Sequence, residues 1–409
     1  MMNLFRKWNS LSLILRILIG LILGVVLGIA LPGLSFIGIP GQMFVDALKA
    51  VAPILVFALV CASVANSKGG NLHSFRTVIL LYLLSTFLAA VVSVFACFLF
   101  PITLPLNAVQ SSTSFKAPQS TSDVLLNLLA SVVANPLSAL AESNYLSILF
   151  WAVVLGLALK AARPATLEML DDLSSAISAV VRGVITLAPL GIMGLAFSAV
   201  SAHGLDIFVT YGRMVALLVG TMLVVGLVVN PLIVGILLRC NPYPLVLRCL
   251  RESGITAFFT RSSAANIPVN LQLCQALGLN KDLYSVSIPL GSTINMDGAA
   301  VTITLFSLVG AFTMGVHVTL PMAIFLSFVA TLSACGASGV AGGSLLLIPL
   351  GCSLFGISAD VSMQLVGVGF IIGIIQDSME TALNSSGDVL FTATAEFLDW
   401  RKQGKKLPF

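Results

Sequence analysis

Apolar runs long enough to cross a bilayer recur along this chain, near 11–31, 43–66, 77–103, 176–201 and 206–238, with a longer stretch at 124–161 that NPLSALAESNY interrupts. About 20 such residues span the hydrocarbon core as a helix, so each run predicts a crossing. After residue 242 the pattern degrades. Segments 253–278 and 318–355 hold too much Gly, Ser and Pro for ordinary spanning helices, whereas 283–311 and 361–392 are long enough to cross. Irregular backbone at membrane depth is tolerated only where it is buried in protein or lines a watery cavity. The two degraded segments are therefore expected to dip in and return on the side they entered.

Lys68, Arg76, Lys160, Arg163, Arg239, Arg248, Arg251, Lys281 and the tail RKQGKK fall in alternate loops, on the same side as Arg6 and Lys7. The loops around 104–122, 202–207 and 312–320 offer little beyond Lys116. Basic loops stay inside, which puts both termini in the cytoplasm and demands an even number of crossings. The expected fold is an all-α polytopic membrane protein with eight transmembrane helices plus two re-entrant helical hairpins. Each dip precedes a crossing helix with polar residues in its middle, which reads as inverted repeats, and broken segments in matching positions of two inverted halves point to a binding site.

Composition agrees. Of 409 residues 58% are hydrophobic and 9% charged, against about 25% charged in soluble domains, and mean hydropathy is +1.07. The net charge of +4 sits mostly in loops and leaves no nucleic-acid footprint. Cys61, Cys97, Cys240, Cys249, Cys274, Cys335 and Cys352 form no C-x-x-C pair, and His73, His203 and His317 lack metal-ligand spacing. The first apolar run contains Arg16 and shows no convincing cleavage site, so it is read as a retained helix and not a signal peptide.

Polarity concentrates in four places where lipid should forbid it. The first dip carries Arg261, Ser262, Ser263 and Asn266 at its tip; the following helix carries Thr293, Asn295 and Asp297; the second dip carries ACGASGVAGGS; the last helix carries Asp377, Thr381, Asn384 and Asp388. Spacings of i, i+4, i+7 and i+11 keep the last four on one narrow stripe. A carboxylate at mid-bilayer costs roughly 2.5–3.5 kcal/mol even on the lenient insertion scale. Helix-to-helix hydrogen bonding is one use of such groups. Two carboxylates with carboxamides and exposed carbonyls are also the hard oxygen donors that an alkali cation prefers, so buried Asp297 and Asp388 would gain a counter-charge from sodium.

Arg261 is expected either to snorkel to the cytoplasm or to pair with Asp377 or Glu380. Tyr82, Ser85 and Thr86 form a hydroxyl cluster on the third helix. Two rival readings are weak. GASG fits a membrane serine protease motif with Ser338 as nucleophile, yet no histidine follows His317, and neither Asp297 nor Asp388 has the setting of an aspartyl protease. A channel also selects ions with oxygen rings, but two gated hairpins argue for occlusion.

TRSS at 260–263, NMDG at 295–298, GASGVAGG at 336–343 and the N-x-x-G-D from Asn384 to Asp388 resemble, in order and spacing, the dicarboxylate/amino acid:cation symporter family, the glutamate transporter relatives. The wording CLRESG, FFTRSSAANIPVN and QDSMETALNSS is most similar to the branch that carries serine and threonine with sodium in bacteria. The resemblance implies no enzyme but a homotrimeric, elevator-type carrier of the bacterial inner membrane, coupling Na+ to uptake of small neutral amino acids. It implies a static scaffold at 1–76 (helices one and two) and 104–201 (helices four and five). A transport domain would lie at 77–103 (helix three) and 202–398 (helices six to eight with both hairpins), before a cytoplasmic basic tail at 399–409. Sodium would be held by Gly291, Asn295, Asn384 and Asp388, by Thr293 with carbonyls of the second hairpin, and by Tyr82, Ser85, Thr86, Asn295 and Asp297. The substrate would meet Ser262 and Ser263, Gly339 and Val340, and Asp377, Glu380, Thr381 and Asn384, with its amino group on Asp377.

Departures from the family pattern carry information. Acidic-substrate members place an arginine three residues after the amino-binding aspartate, where this chain has Glu380. A carboxylate there would repel a glutamate or aspartate side chain. Ala299 and Ala341 stand where the family has a threonine and a proline. The residue expected to recognise a substrate hydroxyl is Thr381.

Overall fold

A computed structural model describes residues 11, 13–66, 73–106, 133–142, 144–335 and 342–408. All regular structure among them is helical. In chain order these are α1 (Leu13–Ala30), α2 (Ile39–Asn66), α3 (His73–Leu99), α4 (Pro136–Ala141), α5 (Tyr145–Leu159), α6 (Pro164–Thr186) and α7 (Ala188–His203). Then follow α8 (Ile207–Val224), α9 (Asn230–Leu238), α10 (Tyr243–Cys249), α11 (Ile255–Thr260), α12 (Ser263–Ala276), α13 (Lys281–Ile294), α14 (Asp297–Thr313), α15 (Leu320–Ala334), α16 (Ile348–Ser353) and α17 (Ala359–Lys402).

Five of the described helices are long and apolar enough to cross a bilayer, six if α6 and α7, bent by 53° at Leu187, count as one span. The apolar stretches Leu15–Ala30 and Ser147–Leu159 are shorter. The chain is a multi-pass membrane protein. Much of the expected 124–161 stretch lies outside the described residues, and α4 and α5 are what is seen of it.

The expected first dip is a helix–turn–helix, but it begins ten residues earlier than the composition suggested. α10, a π-helical turn at Leu250–Gly254 and α11 form one arm, and α12 forms the other. Arg261 adopts a left-handed conformation (φ 52°) between them, and the Ser262 hydroxyl caps α12 by accepting from Ala265 N at 3.2 Å. The early start has a simple cause. YPLVLRCL forms a helix from Tyr243, in which Leu245, Val246 and Cys249 are buried while its one charge, Arg248, is half-buried and pairs with Glu252 at 3.1 Å. For the second dip, α15 and the 3-10 turn Ser344–Leu347 that leads into α16 are described; residues 336–341 between them are outside the described set.

Helices pack in two groups. α1, α2, α5, α6 and α7 contact one another, and Gly20 and Gly24 of α1 admit α7 so closely that a Cβ would lie 2.1 Å from Pro189 O or 2.2 Å from Met193 O. Small residues that let backbones approach are the usual currency of packing in lipid. The other group surrounds α14, in which every residue from Asp297 to Ala311 is buried. α3, α8, α15, α16 and α17 enclose it. α17 runs unbroken for 44 residues, about 66 Å at 1.5 Å per residue, and is buried continuously from Leu383 to Phe397. A crevice of about 510 Å³ opens between the groups, lined by Gln42, Asp46 and Ser198 on one side and by Asp360 and Gln364 on the other.

Candidate functional site

The polar groups converge where α13 stops and α14 starts. Asn295 (φ −93°, ψ 87°) and Met296 (φ −125°, ψ 49°) leave the helical region: Asn295 N still closes the last bond of α13 on Gly291 O and Met296 O the first of α14 with Ala300 N, but Met296 N turns out of the ladder to the Thr86 hydroxyl at 3.2 Å. Against this break lie one face of α3 and the polar stripe of α17.

Asp297 is fully buried. Its Oδ1 accepts from Ser85 Oγ at 2.9 Å and Thr86 Oγ1 at 3.2 Å, and its Oδ2 accepts from Asn230 Nδ2 at 3.0 Å. Ser85 Oγ also lies 3.3 Å from Asn295 Oδ1 and 3.0 Å from Tyr82 O. A hydroxyl has one proton to give. Three oxygens therefore compete for the Ser85 proton, with the Thr86 hydroxyl supplying a second one only to Asp297 Oδ1, an arrangement with more lone pairs than hydrogens.

Asn295 links this cluster to the second carboxylate. Its Nδ2 donates to Asn384 O at 3.0 Å and to Asp388 Oδ1 at 3.1 Å. Asn384 Oδ1 accepts from Gly298 N at 2.7 Å. Asp388, fully buried, keeps an Oδ2 that has no hydrogen-bond partner among the described residues. Gly291 permits the approach of this group: a Cβ there would lie 2.7 Å from Asp388 Oδ1 and 2.8 Å from the Tyr82 hydroxyl. An orphaned carboxylate oxygen costs on the order of 1–3 kcal/mol or more unless something answers it. Carboxylates, carboxamides and hydroxyls are a donor set that fits an alkali cation, so this chemistry suits a sodium ion as cargo.

A second polar group lies earlier in α17, one to two turns before Asn384. Arg261, at the tip between α11 and α12, places Nε and a terminal nitrogen each 2.7 Å from Asp377 Oδ2. Of the alternatives for Arg261, the buried pair is therefore the one formed. Asp377 Oδ1 receives only a long 3.5 Å contact from Gly342 N. Glu380 gathers three bonds on Oε2, from Thr302 at 2.8 Å, Ser344 at 2.8 Å and Gln376 at 2.5 Å. Its Oε1 has no hydrogen bond among the described residues. A gap of only about 30 Å³ separates Arg261 and Asp377 from Ile17, Ile185 and Ile192 of the other helix group.

Not every expected residue joins as expected. Tyr82 contributes its backbone oxygen to the Asp297 cluster, but its hydroxyl donates toward Asp388 O (3.0 Å) and Ser287 O (3.3 Å) and contacts Thr392 Oγ1 at 2.9 Å. The hydroxyls of Thr293 and Thr381 donate to carbonyls of their own helices, Leu290 O at 2.8 Å and Asp377 O at 2.7 Å. Ser263 is buried at the start of α12. Gly339 and Val340 lie outside the described residues, as does Ser338. Asp297 and Asp388 do not face each other as an acid dyad, because Asn295 lies between them.

Sequence reading passed over Asn230, Gln376, Thr302 and Ser344. It singled out Asn266 but not the partners of its fully buried network, in which Asn266 Nδ2 and Asn270 Nδ2 donate to Ser385 Oγ at 2.8 and 3.1 Å, with Ser253 Oγ 2.5 Å from Asn270 Oδ1. Asn230 carried a usable signal: an Asn-Pro step in the middle of an apolar run.

The sequence profile of the sodium:dicarboxylate symporter family matches residues 13–397. The chain belongs to that family. Members are transporters, so this symporter is not an enzyme. It is 56% identical over 402 residues to the serine/threonine transporter SstT of Bifidobacterium adolescentis, covering 98% of this chain and 93% of the relative. The proteins of the same name from Streptococcus thermophilus and Streptococcus agalactiae are 54% identical, over 97% of this symporter and 98% of each relative.

Proposed function

We propose that this chain couples the entry of Na+ to uptake of serine and threonine across the bacterial inner membrane. The observation that carries the reading is the proton-poor oxygen cluster of Asp297, Asn295, Ser85 and Tyr82 O, joined through Asn295 to the orphaned Oδ2 of Asp388. Sodium held there replaces missing hydrogens with positive charge. The names of the relatives give the cargo its identity.

The cargo binds beside the ions. Its ammonium group sits on Asp377 Oδ1, because Arg261 already takes Oδ2. Its carboxylate meets Ser262, Ser263 and Asn384, with Gly339 and Val340 closing over it. Its hydroxyl donates to Glu380 Oε1, a charge-assisted bond of the strong class; Thr381, whose proton goes to Asp377 O, can only accept. Glu380 also excludes acidic side chains by repulsion.

The protomer has eight crossings and two re-entrant hairpins, α10–α12 and α15–α16, with inverted repeats, cytoplasmic termini and a basic tail. Three copies associate. The scaffold (1–76 and 104–201) stays fixed while the transport domain (77–103 and 202–398) carries cargo past it as an elevator, and the closely fitted wall at Ile17, Ile185 and Ile192 is the surface it slides along. Each Na+ entering down about 100 mV contributes roughly 2.3 kcal/mol, and a tenfold concentration gradient adds about 1.4 kcal/mol. Proteoliposomes with an inward Na+ gradient should concentrate radiolabelled serine. Equal uptake when potassium or a proton gradient replaces sodium would overturn the proposal.

A further inference from the structure

Helix α8 passes into α9 through a π-helical turn at Val225–Val229, and the first residue after it is Asn230, followed by Pro231. Proline has no N–H for the ladder and crowds the preceding turn. Leu227 O, four residues before Pro231, accepts instead from the Tyr243 hydroxyl at 3.2 Å. Single π turns inside helices frequently mark functional positions. Here the turn delivers one polar side chain to the interior of an otherwise apolar span. Asn230 is 2% exposed.

Its amide reaches the ion cluster from the α8–α9 side, on the Asp297 oxygen that no other hydrogen bond among the described residues uses. Nδ2 donates to Asp297 Oδ2 at 3.0 Å, on the side opposite the Ser85 and Thr86 hydroxyls that occupy Oδ1. Asn230 Oδ1 is buried with no hydrogen-bond partner among the described residues. An amide placed only to join helices would be expected to use both ends. This one uses its donor on a carboxylate and leaves its acceptor unanswered beside the same cluster.

We propose that Asn230 is a positioning residue for the Asp297 cation site. Its N–H fixes the plane of the Asp297 carboxylate, so that Oδ1 stays turned toward Ser85, Asn295 and Tyr82 O, where the ion is held. The proposal rests on the functional reading above, in which Asp297 binds Na+. It adds to the site a fourth chain segment, α8–α9, alongside α3, the α13–α14 break and α17. Movement of α9 is thereby linked to ion affinity, since displacing Asn230 frees the carboxylate to rotate.

The test separates sodium from serine. In reconstituted protein, the Na+ concentration for half-maximal uptake is measured at saturating serine, and the serine KM at saturating Na+. Asn230→Leu, near in size and suited to a membrane helix, should raise the sodium value about tenfold, the loss expected for one hydrogen bond to a charged group, while serine KM stays within twofold. Asn230→Ser, which retains a donor at shorter reach, should show a smaller rise, and it decides the matter if the leucine variant does not fold. An unchanged sodium value, or equal rises in both constants in both variants, overturns the assignment. Wild-type uptake indifferent to sodium would bring down the functional reading and this assignment together; wild-type uptake that responds to sodium, beside an unchanged N230L, overturns this assignment alone.

Discussion

Arg261 and Asp377, 116 positions apart, form a buried ion pair in which both guanidinium contacts fall on a single carboxylate oxygen. The other oxygen takes only the long 3.5 Å contact from Gly342 N and, on the proposed function, is the one that meets the cargo's ammonium group. Arg261→Asn tests this, because asparagine tolerates the left-handed backbone at this position while removing the guanidinium and its charge. Breaking a buried pair costs about 3–5 kcal/mol. R261N should lower the melting temperature measurably and raise serine KM at least tenfold, and both are read on detergent-purified protein and in vesicles.

Asp388→Asn keeps the shape of the side chain and removes the charge. The expected result is a sodium requirement raised at least tenfold, with the ratio of serine to alanine uptake unchanged. Uptake assays across a sodium titration check it.

Glu380→Gln addresses cargo choice. With its oxygen toward Thr302 and Ser344, glutamine presents an NH2 donor at the Oε1 position, which cannot accept the cargo's hydroxyl proton and carries no charge. Serine should lose its advantage over alanine by about tenfold, roughly the margin of a hydrogen bond to a charged group. Competition of unlabelled alanine and aspartate against labelled serine measures this, and aspartate should compete better than against the wild type.

Gly291→Ala introduces a methyl group where 2.7 Å separates it from Asp388 Oδ1, closer than carbon and oxygen can rest. Asp388 must move. Uptake should fall by at least tenfold while the protein still folds, and sodium-dependent protection against heat should weaken in parallel.

The stripe Asp377, Thr381, Asn384 and Asp388 was legible because helical periodicity is a local property, and the structure places all four in α17. The break at Asn295 and Met296, inside the stretch 283–311 read as one crossing helix, was not. The partners across helices were not. Nothing in the spacing of Tyr82, Ser85 and Thr86 says that the tyrosine hydroxyl turns to Asp388 and Thr392 while the other two turn to Asp297. Thr293 and Thr381 each give their hydroxyl proton to a carbonyl on the preceding turn of their helix, which leaves their lone pairs to accept, a choice that composition cannot reveal. Tyr243–Gly254 was missed as the start of the first hairpin because arginines and a glutamate masked a helix whose buried face is narrow.

The unbroken rod of α17 sets a fixed ruler. From Asp377 to Asp388 is 11 residues, about 16 Å along the axis, and Leu383 through Asp388 within that interval are buried, so neither stretching nor hinging can part passenger from ion. Whatever crosses the bilayer crosses with the two at constant separation. On the proposed function, slippage between them, the failure that would dissipate the gradient, is not expected along the helix that holds both.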